Sequence, residues 1–140
     1  MISPPYFSDE AIPLKREDIA AILKFLPKFE KPDFSPGAMR PGMDNHPGFV
    51  YSPATAKFIK ALYHHRFVVR FDWVRWQTET REFYLNPEHI AAADIFTLRR
   101  LLTIYVRMDY FSEGSIAEQF ESGQIVRILR RLRDLAGDTI

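Results

Sequence analysis

The segment IFTLRRLLTIYV (95–106) constrains this chain more than any other. Asp94 precedes it as an N-cap, a residue type whose carboxylate accepts the free N–H groups of a first helical turn. Ile95, Leu98, Leu102, Tyr105 and Val106 recur on one stripe at helical spacing, while Phe96, Leu101 and Ile104 make other sides apolar too. A helix with a single apolar stripe lies on a surface; one that is apolar on most sides must be surrounded. The segment therefore predicts the central helix of a bundle.

The rest of the chain supplies the surrounding elements. In REDIAAILKFLPKF, Ile19, Ile22, Leu23 and Leu26 share a face, Glu17 and Asp18 suit the first turn, and Pro27 is expected to end the helix. Ser52 followed by Pro53 reads as cap and first helical position, with Phe58, Ile59, Leu62 and Tyr63 inward. Arg66–Phe71 is β-prone but short. Asp72 is expected to cap a helix with Trp73, Trp76, Thr80 and Phe83 on one stripe and Arg75 and Glu79 paired elsewhere. Asn86 and Pro87 repeat the cap-then-proline device. Ile116, Ala117 and Phe120, with Gly123 behind them, mark a short helix. Ile125, Ile128, Leu129, Leu132 and Leu135 mark the last one.

These elements predict an all-α fold, a compact bundle of about six helices with at most a short β element. At 140 residues it is expected to be a single helical domain, residues 1–140. Residues 1–14 read as an irregular arm. Residues 30–50 carry four prolines and three glycines and read as a long loop, which Phe34 and Phe49 could order against the body. Aromatic residues make up 14% of the chain, a surplus that implies a thick core or an interface.

Composition excludes several functions. There is no cysteine, hence no disulfide framework, thiol nucleophile or cysteine-held metal within the chain. The 19 basic and 18 acidic residues nearly cancel, which argues against a dedicated nucleic-acid binder. The first residues lack the basic flank and apolar run of a signal peptide, and no stretch approaches the roughly 20 apolar residues of a membrane helix. A cytoplasmic protein is expected.

Candidate chemistry is sparse. Trp73 and Trp76 on one turn are the residue types that stack a base, sugar or nucleotide, although the same stripe equally reads as core. Asp72 beside them reads as a cap or as a general base. Arg107, Asp109 and Glu113 crowd the end of the central helix, either as a charged site or as caps and an ion pair. Of four histidines, His64 and His65 are adjacent and diverge on a helix, His89 is isolated, and only His46 with Asp44 has a spacing a metal could use. No metal or cofactor is expected. Arg127, Arg130 and Arg131 share a stripe, and with Arg99 and Arg100 would make a patch for phosphate or an acidic partner. The alternative for that stripe is an ordinary solvated helix face. No nucleophile motif or phosphate-binding loop is present.

Three stretches taken together resemble a known family: FVVRFDWVRW, LNPEHIAAADIFTLRRLLTIYVRMDYFSEG and ESGQIVRILRRL. An Asp-Trp-x-x-Trp element, an Asp-capped helix, a Phe-x-Glu-Gly turn and a C-terminal Leu/Arg helix resemble domain of unknown function 6508, over roughly residues 18–133. Tyr110 stands where that pattern has an arginine, which argues against the turn as an anion site. The resemblance implies a small bacterial cytoplasmic domain and assigns no activity or functional residue. The expected function is a non-enzymatic protein-interaction or accessory module, with a protein partner or a second copy as ligand. The alternative is a small-molecule or nucleotide-binding protein, or an enzyme, with its site near Asp72, Trp73, Trp76, Arg107 and Glu113.

Overall fold

The computed structural model of the protein describes residues 8–41 and 47–138. In chain order they form β1 (Ser8–Asp9), α1 (Arg16–Leu23), α2 (Leu26–Phe29), β2 (Gly37–Pro41), β3 (Pro47–Tyr51), α3 (Pro53–His64) and β4 (Val69–Arg70). There follow α4 (Gln77–Leu85), a 3₁₀ helix (Pro87–Ala92), α5 (Ile95–Phe111), α6 (Ser115–Glu121) and α7 (Gln124–Asp138). The fold is mostly α, with two short two-stranded sheets.

Helix α5 is central, as its sequence requires. Asp94 Oδ1 accepts from Thr97 N at 2.8 Å to start it. Leu98, Leu101, Leu102, Ile104, Tyr105 and Val106 are all buried. Helix α7 packs against the 3₁₀ helix, α1, α2, α5 and α6, so it closes the bundle. The apolar stripe of α7, Ile125, Ile128, Leu129 and Leu132, has no exposed surface.

Much of the aromatic surplus lies in this core. The Phe29 ring meets those of Phe25, Phe34, Phe58 and Phe120 at centroid separations of 4.8–5.8 Å. The Phe58 and Phe120 contacts are edge-to-face, and pairs of that kind add attraction beyond their buried area. Phe34 thereby anchors the start of the 30–50 segment.

Arg99 departs from the sequence expectation. The sequence offers it for a basic surface patch or a solvated helix face, yet it is 1% exposed. Its Nε and Nη2 donate to Arg66 O at 3.1 and 2.6 Å, and its Nη1 donates to Glu10 O and Ile12 O at 3.2 and 2.7 Å. Arg66 has φ of 67°, the left-handed region, which turns the chain from α3 into β4. Arg100 also leaves the patch, because it forms a two-pronged ion pair with Glu10 at 2.8 and 2.9 Å. Counting charge along a helix cannot reveal such partners, which are backbone carbonyls and an arm residue far away in sequence.

Three boundaries move. Pro27 opens α2 instead of ending α1, since a proline has no N–H for the Leu23 carbonyl and the chain breaks at Lys24 and restarts. Helix α4 begins at Gln77; Asp72 caps only the preceding turn, accepting from Arg75 N at 3.3 Å. Within and just past the expected 30–50 loop, Gly37–Pro41 and Pro47–Tyr51 pair as antiparallel strands, β2 with β3, in register from Gly37 opposite Tyr51 to Pro41 opposite Pro47. Prolines and glycines had diluted its alternation. The arm likewise contributes β1, parallel to β4 with Ser8 opposite Val69. Among the described residues no helix is long and apolar enough to cross a membrane.

Replacing Phe29 by Ala removes the hub of the ring cluster and is expected to lower stability by about 3–5 kcal/mol, read from the urea midpoint. Acid should also weaken the fold. The Arg100 hydrogen bond holds the Glu10 carboxyl low, and the Thr97 N–H does the same for Asp94. Burial raises Asp18, but hydrogen bonds from His65 and Lys15 N outweigh it, and its pKa is lowered. Carboxyls depressed in the folded state stabilise it above their unfolded values, about pH 4, and lose that contribution as pH falls through the folded values. Thermal midpoints should therefore be flat near neutrality and drop below about pH 4; Asp94→Ala should show a shallower acid drop.

Candidate functional site

Trp73, Arg107, Asp109 and Glu113 lie at or beside the C-terminal end of α5, whereas Trp76 sits beside Arg100 nearer its start and Asp72 serves its own turn. Trp73 is half-buried and stacks on Phe111, at 6.1 Å between centroids and 26° between planes. Trp76 packs edge-on to Phe71 and stacks on Phe83, with the Arg100 guanidinium 5.6 Å over its ring. The two indoles, neighbours on the expected stripe, thus serve different contacts. Asp72 is exposed and engaged with Arg75 N. Arg107 and Asp109 act on the Tyr63 phenol, whose pKa is raised by burial, opposed by Arg107 and reinforced by Asp109.

The turn after α5 has a definite task. Glu113 Oε1 accepts from Phe49 N on β3 at 2.9 Å. Asp109 Oδ1 accepts both the Tyr51 hydroxyl and Ile116 N, the latter at 3.1 Å. Burial and the Asp109 carboxylate together push the Tyr51 phenol far above its usual range. Gly114 has φ of 88°, and a Cβ there would stand 3.0 Å from the Phe49 ring. Glycine is needed at that position both for the backbone angle and to seat the ring. The Phe-Ser-Glu-Gly turn is a socket for the hairpin, with two carboxylates and a glycine holding Phe49 and Tyr51. The sequence offers Asp109 and Glu113 as a charged group and Phe49 as an anchor of the loop, and Phe49 does anchor it; Tyr51 and the joining of these residues into one socket were not legible, because the partners lie about 60 positions apart.

Beyond the socket the helix end is apolar and exposed. Tyr110 is 81% and Phe111 66% exposed, and their rings meet at 5.2 Å. Met108, one helical turn before Phe111, is exposed and takes a contact from Gln77 Nε2 on its sulfur at 3.8 Å. Val74, beside Trp73 in the chain, is exposed as well. Trp73, Phe111 and Tyr110 therefore form a continuous ring surface. Single exposed apolar residues are ordinary, whereas contiguous ones mark binding surfaces.

The histidines do not converge. His65 Nδ1 lies 3.0 Å from Asp18 Oδ1, and His89 Nδ1 lies 3.1 Å from Glu82 Oε1. Asp44 and His46 fall outside the described residues. Among the described residues no group of three or more His, Asp or Glu side chains is placed to hold a metal ion.

Fold and site together define a small, mostly helical protein with a hairpin clamped to its central helix and an aromatic surface beside the clamp. The chain belongs to the family described as a family of unknown function, DUF6508, whose model matches residues 14–138. That span contains the tryptophan turn, α5, the hairpin socket and α7. No curated protein and no solved structure matches the chain.

Gly114→Ala is expected to destabilise the protein by about 1–2 kcal/mol through the left-handed angle alone, and somewhat more through contact with Phe49. Glu113→Ala should leave the helices folded yet speed amide exchange at Phe49, measured residue by residue by NMR. Unchanged exchange at Phe49 would show that the carboxylate does not hold the hairpin.

Proposed function

We propose that the protein is a non-enzymatic interaction module that docks a partner protein, a second copy of the chain included, on the ring surface of Trp73, Tyr110 and Phe111. The observation that carries this reading is the exposure of two contiguous aromatic side chains at the end of the central helix. Aromatic residues are enriched where interfaces concentrate their energy, and burying one such ring contributes about 2 kcal/mol. The polar groups nearest to them support the same reading. Asp109 and Glu113 are occupied by Tyr51, Ile116 and Phe49, which leaves their carboxylates serving the hairpin.

The second reading is a small-molecule or nucleotide site using Asp72, Trp73, Trp76, Arg107 and Glu113. Its support is the half-exposed Trp73 beside the charged end of α5. The two readings separate experimentally. Tyr110→Ser with Phe111→Ser alters side chains that are mainly in solvent, so the thermal midpoint should move by only a few degrees. Self-association by sedimentation velocity, or binding to a purified partner, should be lost in that variant. A screen of nucleotides and sugars should give no stabilisation. A ligand at 100 times its dissociation constant would add about 2.7 kcal/mol, and a shift of that kind abolished by Trp73→Ala would overturn the docking reading in favour of a ligand site.

A further inference from the structure

Arg127, Arg130, Arg131 and Asp134 of α7 face Pro87, Glu88 and Ala91 of the 3₁₀ helix across a groove of about 160 Å³. The three arginines are held in different ways. Arg130 is neutralised by Glu30, Nη2 to Oε2 at 2.8 Å. Arg127 Nη1 donates to Ser122 O at 3.0 Å and to Gln124 Oε1 at 2.8 Å. Arg131 Nε donates to Ala93 O at 2.8 Å. Those acceptors are neutral: they fix each guanidinium in place without cancelling its charge. Among the described residues neither Arg127 nor Arg131 has a carboxylate within ion-pair distance. A guanidinium carries five N–H donors, so both keep donors for a further acceptor.

Two pre-positioned guanidiniums without a direct ion-pair partner beside one groove suit an anion with several acceptor oxygens, since such charge-assisted bonds are roughly twice as strong as neutral ones. We propose that this groove binds the phosphate monoester of a small molecule, with Arg127 and Arg131 donating to the phosphoryl oxygens. Pockets for drug-sized molecules run to about 300–1,000 Å³; the groove is small beside them, and it is large enough to seat a phosphoryl group on a short carrier. Glu88 and Asp134 on the same rim temper the field, and the expected affinity is about millimolar. The site shares no residue with the ring surface, and neither proposal depends on the other.

The test is a titration of the intact chain with inorganic phosphate, and separately with glycerol 3-phosphate, at constant ionic strength, following arginine Nε–H resonances by NMR. Saturating shifts confined to Arg127 and Arg131 are expected, with the monoester at least as tight as free phosphate. Arg127 is exposed, so Arg127→Gln should fold normally and weaken binding roughly tenfold, the loss of a charge-assisted contact. Arg133→Gln, on the same helix but away from the groove, should change nothing. Linear shifts without saturation, or equal losses in the two variants, would reduce the site to diffuse surface attraction. Tighter binding of a short DNA duplex, falling steeply with salt, would replace the small monoester by nucleic acid and overturn the proposal as stated.

Discussion

The fold is organised around a buried cation. The Arg99 guanidinium, 1% exposed, donates to the carbonyls of Glu10, Ile12 and Arg66. Burial lowers its pKa, yet a guanidinium stays charged, and an unpaired charge in that position would be expensive. Its partners are carbonyl dipoles from two separate segments, so one side chain joins the arm and the α3–β4 turn to the central helix. The strained left-handed angle at Arg66, a conformation that typically costs about 1–3 kcal/mol, persists because its carbonyl is gripped by two of those donors. One turn further on, the Thr103 hydroxyl accepts from Val69 N at 3.0 Å and fixes β4 on the same helix.

From that anchored half, α5 extends to the other end, where its contacts change character. Asp109 and the turn behind it grip the hairpin through Tyr51 and Phe49, and Phe111 carries Trp73. Two groups of aromatic residues stand at opposite extremes of burial. Phe25, Phe29, Phe34, Phe58 and Phe120 interlock inside, while Tyr110 and Phe111 face solvent with Trp73 beneath them. The rigid helix that organises the core also presents the exposed rings, and a surface on a rigid element loses little entropy when it binds.

The helical plan was readable because it rests on local signals. Asp94, Ser52 and the apolar stripes of α5 and α7 act where they stand in the chain. What escaped depends on partners distant in sequence. Arg99 looks like surface charge until carbonyls 33 and 87 positions away surround it. Asp109 and Glu113 read as a charged site or as caps and an ion pair; Asp109 does take the Ile116 N–H at the start of α6, but neither reading contains the hairpin that both carboxylates hold. Trp73 and Trp76 share a stripe only if a helix starts at Asp72; the extra turn before Gln77 sends their rings to different neighbours. The arginine stripe on α7 was legible, but that two of its members are held by neutral acceptors was not.

The claim that the ring surface is a docking face can be tested in living cells by placing a photo-crosslinking benzoylphenylalanine at Tyr110, and for comparison at Lys60, an exposed residue of α3. One or a few discrete crosslinked species are expected from position 110, with none from position 60. Identical patterns at both positions, or no product from position 110, would contradict it.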